Sequence, residues 1–369
     1  MKPEWSCLKD VKIIDASQLL PGPHATSLLL QLGADVIKVE RRGSGDPSRE
    51  LGSAVFAQFN RDKRSVALDL RDNADREAFL ELVRGCDAVV EGFRPGVMNS
   101  FGLGYDDLVK VNPAIVMCSI SGFGQTGPYA DNAGHDLNYL AMAGYWAAPV
   151  QVESKVARPG VRVSDYAASS YAALSLVVAI MSARQNGYGQ HLDVSIHDSI
   201  LSWTAPTAWL ARSFEKKPVM SPLVMPENDI FETQDGRHLA LGILENKFWV
   251  NLCDCLGEVF PLLKDPRFST RMGRLACKLE VNQLLKQVFL SKPLAQWVQY
   301  FADVDLPFSP LLGANELFAD AHVQSRGTLR EFAKEGTIAV RFPVKFSLGL
   351  PDSEGKVPAL GEFTPGATE

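Results

Sequence analysis

The sequence is poor in the marks of several protein classes. Its six cysteines (Cys7, Cys86, Cys118, Cys253, Cys255, Cys277) include no Cys-x-x-Cys pair, which argues against a zinc site, and no metal ligand set is expected. Several sit among apolar neighbours and read as small buried hydrophobes in a reducing, cytoplasmic protein. There is no basic tract: 37 Lys and Arg stand against 43 Asp and Glu, a formal charge of −6. That balance is unsuited to holding a nucleic-acid backbone. The longest mainly apolar stretch, residues 171–181, is too short to cross a bilayer, so no membrane partner is expected. Met1-Lys2-Pro3-Glu4 lacks the apolar core of a signal peptide. No Gly-Gly pair, internal repeat or low-complexity segment occurs. What remains is 369 residues with 46% hydrophobic, 22% charged and 9% aromatic content, a globular chain of two or three domains.

Strand-like runs at 11–15, 35–40, 65–70, 87–91 and 114–121 alternate with helical periods such as 24–32 and 78–83. This pattern predicts a doubly wound α/β domain with a parallel sheet, whose ligands bind beyond the carboxyl ends of the strands. Residues 166–184 predict a nearly uncharged helix, apolar on most of its circumference and therefore buried. Residues 203–226 carry four prolines and two tryptophans with little periodicity, which reads as a linker. A hairpin over 229–244 turning at Asp235-Gly236 follows, then helices over 247–256, 274–290 and 294–301, and a returning strand over 340–346. The chain thus divides into a large domain (1–202, rejoined by 326–369), a linker (203–226) and a small α+β domain (227–325).

Gly122-Phe123-Gly124-Gln125-Thr126-Gly127 spells the dinucleotide-binding pattern. Its context is wrong for that role: it lies far from the first strand–helix turn, and Pro128, Asp131, Asn132 and Gly134 follow it instead of a helix. A tight turn lining a cleft suits it better. His135 and Asp136 precede an apolar helix start, with Asp136 a candidate N-cap and His135 a candidate base beside the helix end. Asp165 opens the apolar helix, either as its N-cap or as a carboxylate in an interior cleft, able to act as acid/base or as a nucleophile forming an acyl anhydride. Glu245 begins another helix and has the same two readings. Arg41, Arg42, Arg61, Lys63, Arg64, Arg71 and Arg94 cluster in the first hundred positions, several just after strands where a phosphorylated ligand would bind.

Together with Leu20-Pro21-Gly22-Pro23-His24-Ala25, Lys63-Arg64-Ser65, Glu91-Gly92-Phe93-Arg94-Pro95-Gly96, Gly189-Gln190-His191-Leu192-Asp193 and Pro358-Ala359-Leu360-Gly361-Glu362, these residues resemble the family III CoA-transferase superfamily (CaiB/BaiF type), which includes alpha-methylacyl-CoA racemases. The resemblance covers nearly the whole chain. It implies a Rossmann-like large domain with a parallel sheet, a smaller α+β domain, and two chains threaded through one another as an interlocked homodimer. It implies an acyl-CoA thioester substrate with CoA as part of it and no prosthetic group. Arg41, Leu70, Arg71 and Arg94 would meet the adenosine and phosphates, and His135, Asp136 and Tyr139 would lie near the thioester.

Within the superfamily, Gly134-His135-Asp136-Leu137-Asn138-Tyr139-Leu140 resembles the racemase pattern. The leading expectation is therefore a racemase or epimerase of 2-methyl or other 2-substituted acyl-CoA. His135 and Asp165 would be its two bases, and Glu245, from the partner chain, would stand near the histidine. The alternative is CoA transfer between carboxylic acids through an aspartyl anhydride at Asp165, and a third is CoA binding without turnover. Tyr166-Ala167-Ala168-Ser169-Ser170 replaces the glycines that usually follow the aspartate in racemases, which implies a different acyl group. The absence of any Gly-Gly pair departs from the glycine run of some transferases.

Overall fold

The structure, a computed structural model, describes residues 7–153, 156–332 and 337–364. Met1-Lys2-Pro3-Glu4, on which the expectation of no leader rests, lies outside the described residues. In chain order the first elements are β1 (Lys12–Ala16), α1 (Pro21–Gln31), β2 (Asp35–Glu40), α2 (Ser53–Asn60), β3 (Arg64–Ala67), α3 (Asn73–Arg84), β4 (Ala88–Glu91), α4 (Val97–Ser100), α5 (Tyr105–Val111), β5 (Val116–Ser121), α6 (Asp136–Met142), α7 (Val163–Asn186), β6 (His191–Ser195) and α8 (Ile196–Arg212). The six strands pair in parallel in the order β3-β2-β1-β4-β5-β6. The fold is the expected α/β class, and its winding reverses between β1 and β4, the point where such sheets open a crevice.

Strand residues alternate faces because the side-chain period is two. Ile13, Val36, Val90, Val116 and Cys118 join one core layer with Ala25 and Leu29 of α1 and Ala168, Ala172 and Leu176 of α7. Ile14, Ile37, Val66, Val89 and Met117 join the opposite layer with Phe79 and Val83 of α3 and Leu108 of α5. Both faces of the sheet are thus covered, which is why its strands read as apolar runs.

By packing, the chain forms two compact units: Met1–Ala143 with Pro159–Trp203 and Ala321–Glu369, and Gly144–Arg158 with Thr204–Asp320. The division differs from the one drawn from sequence at residues 144–158 and 204–226, which group with the second unit, and at 321–325, which group with the first. That unit is built on an antiparallel sheet of β7 (Asn228–Glu232), β8 (His238–Gly242) and β9 (Phe308–Pro310), with helices α9 (Asn246–Leu256), α10 (Arg271–Ala276), α11 (Lys278–Phe289) and α12 (Leu294–Tyr300). Its core gathers Phe231, Leu241, Trp249, Leu285, Phe289 and Trp297. In the tail, β10 (Leu329–Phe332) pairs antiparallel with β11 (Thr337–Val340), and the Phe363 amide donates to the Ser65 carbonyl of β3 at 2.8 Å.

Three local expectations are corrected. Residues 203–212 are not linker but the second half of α8, which continues through Pro206; the proline and the exposed Trp203 and Trp209 erase the helical period from the sequence. The helix expected over 274–290 is two, divided at Cys277. The returning strand ends at Val340 and pairs only with β10, not with the large sheet. A fourth difference concerns α7. At 24 residues it is long and apolar enough, by length and composition, to cross a bilayer, and half of its most apolar window is buried. Serines and alanines flanking residues 171–181 extend the helix at both ends.

Candidate active site

At the sheet's reversal point, residues after β1 and after β4 meet. A cleft of about 480 Å³ is walled by Gln18 and Leu19 after β1, Phe93 and Arg94 after β4, Ser121 at the end of β5 and Gly122 after it, and by His135, Tyr139, Arg162 and Asp165. A second cleft, about 250 Å³, is lined by Arg41, Leu68, Leu70 and Arg71, and it shares Gln18 and Phe93 with the first. Of the residues expected to meet CoA, Arg41, Leu70 and Arg71 therefore line one cleft and Arg94 and Tyr139 the adjoining one.

Asp165 is the buried acid of the larger cleft, with 6% of its surface exposed. It is not the N-cap of α7: that position is Arg162, and Asp165 lies in the helix's first turn. No described residue donates a hydrogen bond to its carboxylate. Burial, followed by the nearby Asp136 charge, pushes its pKa up from 3.8 to about 7, and Arg162 opposes the rise.

Asp136 is not an N-cap of its own helix either. His135 holds the N-cap position of α6, its amide donating to Asn138 Oδ1 at 3.0 Å. The Asp136 carboxylate instead reaches the next helix, accepting the Ser164 amide at 2.8 Å and the Ser164 hydroxyl at 2.7 Å. It satisfies amide groups that the first turn of α7 would leave unpaired, and it is not among the residues that wall the cleft. Tyr139 is buried and donates its hydroxyl to the Gly134 carbonyl at 2.6 Å. A Cβ on Gly122 would stand 2.6 Å from its ring, and one on Gly134 2.7 Å, so two glycines flank it. The Gly122–Gly127 segment is a turn, with Gly124 and Gly127 at φ +85° and +99°, where glycine carries no Cβ penalty. The Gln125 amide pins it to Asp193 at 3.0 Å, and no helix follows until Asp136.

Glu245 belongs to the second unit, where it is exposed and occupies the N-cap position of α9 without a capping bond from its side chain. The basic cluster divides. Lys63 is fully buried, held by Asp15 at 2.8 Å and Asn60 at 2.9 Å, while Arg42 pairs with Asp75 and Arg64 with Asp35. Arg61 is buried and donates to the Gly355 carbonyl. These four are structural, and Arg41, Arg71 and Arg94 remain on the clefts, with Arg71 also meeting Asp69 at 3.0 Å.

Sequence reasoning did not find Gln18, Leu19 and Arg162 as site residues, nor the buried charges behind them. Lys38, fully buried, lies 3.1 Å from Asp46 and 3.7 Å from Asp15 and donates to the Ser17 carbonyl. Asp46 in turn accepts the Leu19 amide at 3.2 Å, and Leu19 stands at φ +64°, a conformation that a leucine adopts only when its surroundings hold it. The signal that could have pointed there is the lone lysine inside the otherwise apolar run of β2.

Comparison with known proteins covers the same chain. The family described as CoA-transferase family III matches residues 8–364. Acetyl-CoA:oxalate CoA-transferase of Acetobacter aceti is 33% identical over 91% of this chain and 88% of its own length. Succinyl-CoA:glutarate CoA-transferase of Mus musculus is 31% identical over 99% of this chain and 85% of its own. A solved CAIB/BAIF family protein from Brucella suis superposes with a TM-score of 0.83 at 28% identity, covering 98% of this chain and 97% of that one.

Proposed function

The chain belongs to CoA-transferase family III, and from that premise we propose that it moves CoA from an acyl-CoA donor to a free carboxylic acid, with Asp165 as the nucleophile. The observation that carries this reading is a buried carboxylate, with no hydrogen-bond donor among the described residues, facing a cleft that shares two walls with a second cleft bearing Arg41 and Arg71. A largely desolvated carboxylate is the more reactive nucleophile because fewer donors need be stripped from it. CoA phosphates would lie along the smaller cleft, the pantetheine arm would pass Gln18 and Phe93, and the thioester would reach Asp165.

The Asp165 carboxylate attacks the thioester carbonyl; the C–S bond breaks, CoA leaves as a thiolate and an acyl-aspartyl anhydride forms. The thiolate then attacks the aspartyl carbonyl, releasing the donor acid and leaving CoA as a thioester on Asp165. The acceptor carboxylate repeats the attack, and the thiolate returns to the new acyl group, restoring the Asp165 carboxylate. Names of relatives support the transferase over the racemase reading: those compared above move CoA between carboxylic acids. The test is mass spectrometry of the protein incubated with acyl-CoA and quenched with hydroxylamine or borohydride. A modification at Asp165, absent in Asp165→Asn, is expected; turnover without any adduct at Asp165 would overturn the assignment.

One observation keeps a second reading open: His135 lines the same cleft as Asp165, as two bases on either side of a substrate α-carbon would require. If the protein is a racemase, His135→Ala stops α-proton exchange in D2O. If it is a transferase, that variant still transfers CoA and no exchange occurs in the wild type.

The reading extends to a homodimer. Leu174, Val178 and Met181 present one apolar face of α7, each at least 59% exposed, and a second copy of the chain would cover it. Sedimentation should give a dimer, and Val178→Asp should weaken it; a monomeric wild type at micromolar concentration would refute this part.

A further inference from the structure

The cleft holds two guanidinium groups that are unpaired among the described residues. Arg94 and Arg162 both line it, and neither side chain makes a hydrogen bond or ion pair with any described residue. Other arginines of the same unit are committed: Arg42 to Asp75, Arg49 to Glu40, Arg64 to Asp35, Arg71 to Asp69 and Arg184 to Asp87. An arginine facing a cleft without a partner is suited to a planar anion, which its fork of donors binds in a bidentate manner.

The two differ in what they stand beside. Arg94 follows Phe93, the wall shared with the cleft assigned to the CoA phosphates, and so lies on the path of the CoA arm. Arg162 stands at the N-cap of α7, three residues before Asp165, or nearly one helical turn of about 5.4 Å. Its charge acts on the Asp165 carboxylate without pairing with it. A cation in that position favours an anion next to the nucleophile and leaves the nucleophile free. When the acceptor acid attacks, Asp165 is a neutral thioester, so Arg162 is left to hold a second, unreacting carboxylate of that acid.

We propose that Arg162 reads the remote carboxylate of a short dicarboxylic acid, while the other carboxyl group, free or as its thioester, reacts at Asp165. Arg162 is thereby the residue that selects diacids over monoacids of the same length. The inference rests on the transferase reading of the site.

The test uses the full chain, acetyl-CoA as donor and acceptors matched in length: succinate against butyrate, and glutarate against valerate. Product thioesters are followed by mass spectrometry. The wild type is expected to favour the diacids in kcat/KM. Arg162→Gln is expected to collapse that preference by about 10- to 100-fold, chiefly through KM for the diacid, the effect of losing one charge-assisted contact. Arg162→Lys should keep part of it, since charge survives without the fork. A merely structural arginine would lower both kinds of acid alike and leave the ratio unmoved, and that result overturns the proposal. A wild type that accepts monoacids equally well also overturns it, while leaving the transferase reading intact. If no acid of either kind accepts CoA, the transferase reading falls and this inference with it. Should Arg162→Gln fail to fold, the wild-type preference and the lysine variant still decide.

Discussion

Asp136 caps the helix that carries Asp165. Its Oδ1 accepts the Ser164 amide at 2.8 Å and stands 3.5 Å from the Asp165 amide, so one carboxylate ties the start of α6, where His135 lies, to the start of α7. The same contact brings a second negative charge to Asp165, which burial already disfavours as an anion. One residue thus positions Asp165 and, next to desolvation, sets the pH at which it is ionised.

The pH dependence follows from that shift. Transfer requires ionised Asp165, so kcat/KM for acyl-CoA should climb about tenfold per pH unit below its pKa of about 7 and level off above it. Stability should move in the opposite direction. In the unfolded chain the group ionises near 3.8, and in the folded chain near 7. Between those values the native state holds a proton that the unfolded state gives up, so stability falls as pH rises through this window. Asp165→Asn should therefore abolish transfer and raise the thermal midpoint at pH 8, with little gain at pH 4. A variant no more stable at pH 8 than at pH 4, relative to wild type, would show that Asp165 is not strained by ionisation.

Charge and cap at Asp136 can be separated. Asp136→Asn keeps an acceptor for the Ser164 amide and removes the charge, so the acidic limb of the kcat/KM profile should move to lower pH by part of the shift, burial supplying the larger share. Asp136→Ala removes the acceptor too, and should add a loss of about 1 kcal/mol, typical of a helix cap. Profiles superimposable on wild type in both variants would deny Asp136 its electrostatic role.

Most of the sheet was legible because its strands are covered on both faces. The run of β2 coincides with its expected span, and β5 falls within its own. The sixth strand escaped notice: β6 lies at the sheet edge, and its first three residues are not buried. Asp165 was visible as a charge at the start of an apolar helix. Its cap was not, because Asp136 lies 29 residues away and no local pattern reports such a contact. The residues proposed to face CoA came from family resemblance; Arg41, Arg42 and Arg64 look alike in sequence, and only their partners separate a cleft residue from a structural one.

The glycines around Tyr139 offer a packing test. The ring is 6% exposed and meets Phe123 edge-on at 5.3 Å, so it cannot swing aside. A Cβ on Gly122 or Gly134 would press it from within 3 Å, and either alanine variant should cost about 1–3 kcal/mol, the usual penalty of overpacking. Tyr139→Phe keeps the ring and loses only its bond to the Gly134 carbonyl, for about 1 kcal/mol. Urea denaturation should rank the alanine variants below the phenylalanine one. The reverse order would mean that the hydroxyl, not the ring, holds this wall of the cleft.

Lys38 offers the most severe test, since it stands between two buried acids. Burial alone would raise the pKa of Asp15, yet the charges of Lys38 and Lys63 hold it well below the usual carboxylate range. Asp46 is likewise held down, with Lys38 the leading opposing charge. Lys38→Met fills the space but leaves both carboxylates short of a cation, for a loss of about 3–5 kcal/mol, the cost of breaking a buried pair from one side. The effect should reach the cleft as well, because Asp46 holds the amide of Leu19 at its wall. In a variant that still folds, KM for acyl-CoA should rise as the segment after β1 relaxes. Should Lys38→Met match the wild type in urea midpoint and KM, then Lys63 alone suffices for Asp15, and the segment after β1 is held by something other than this network.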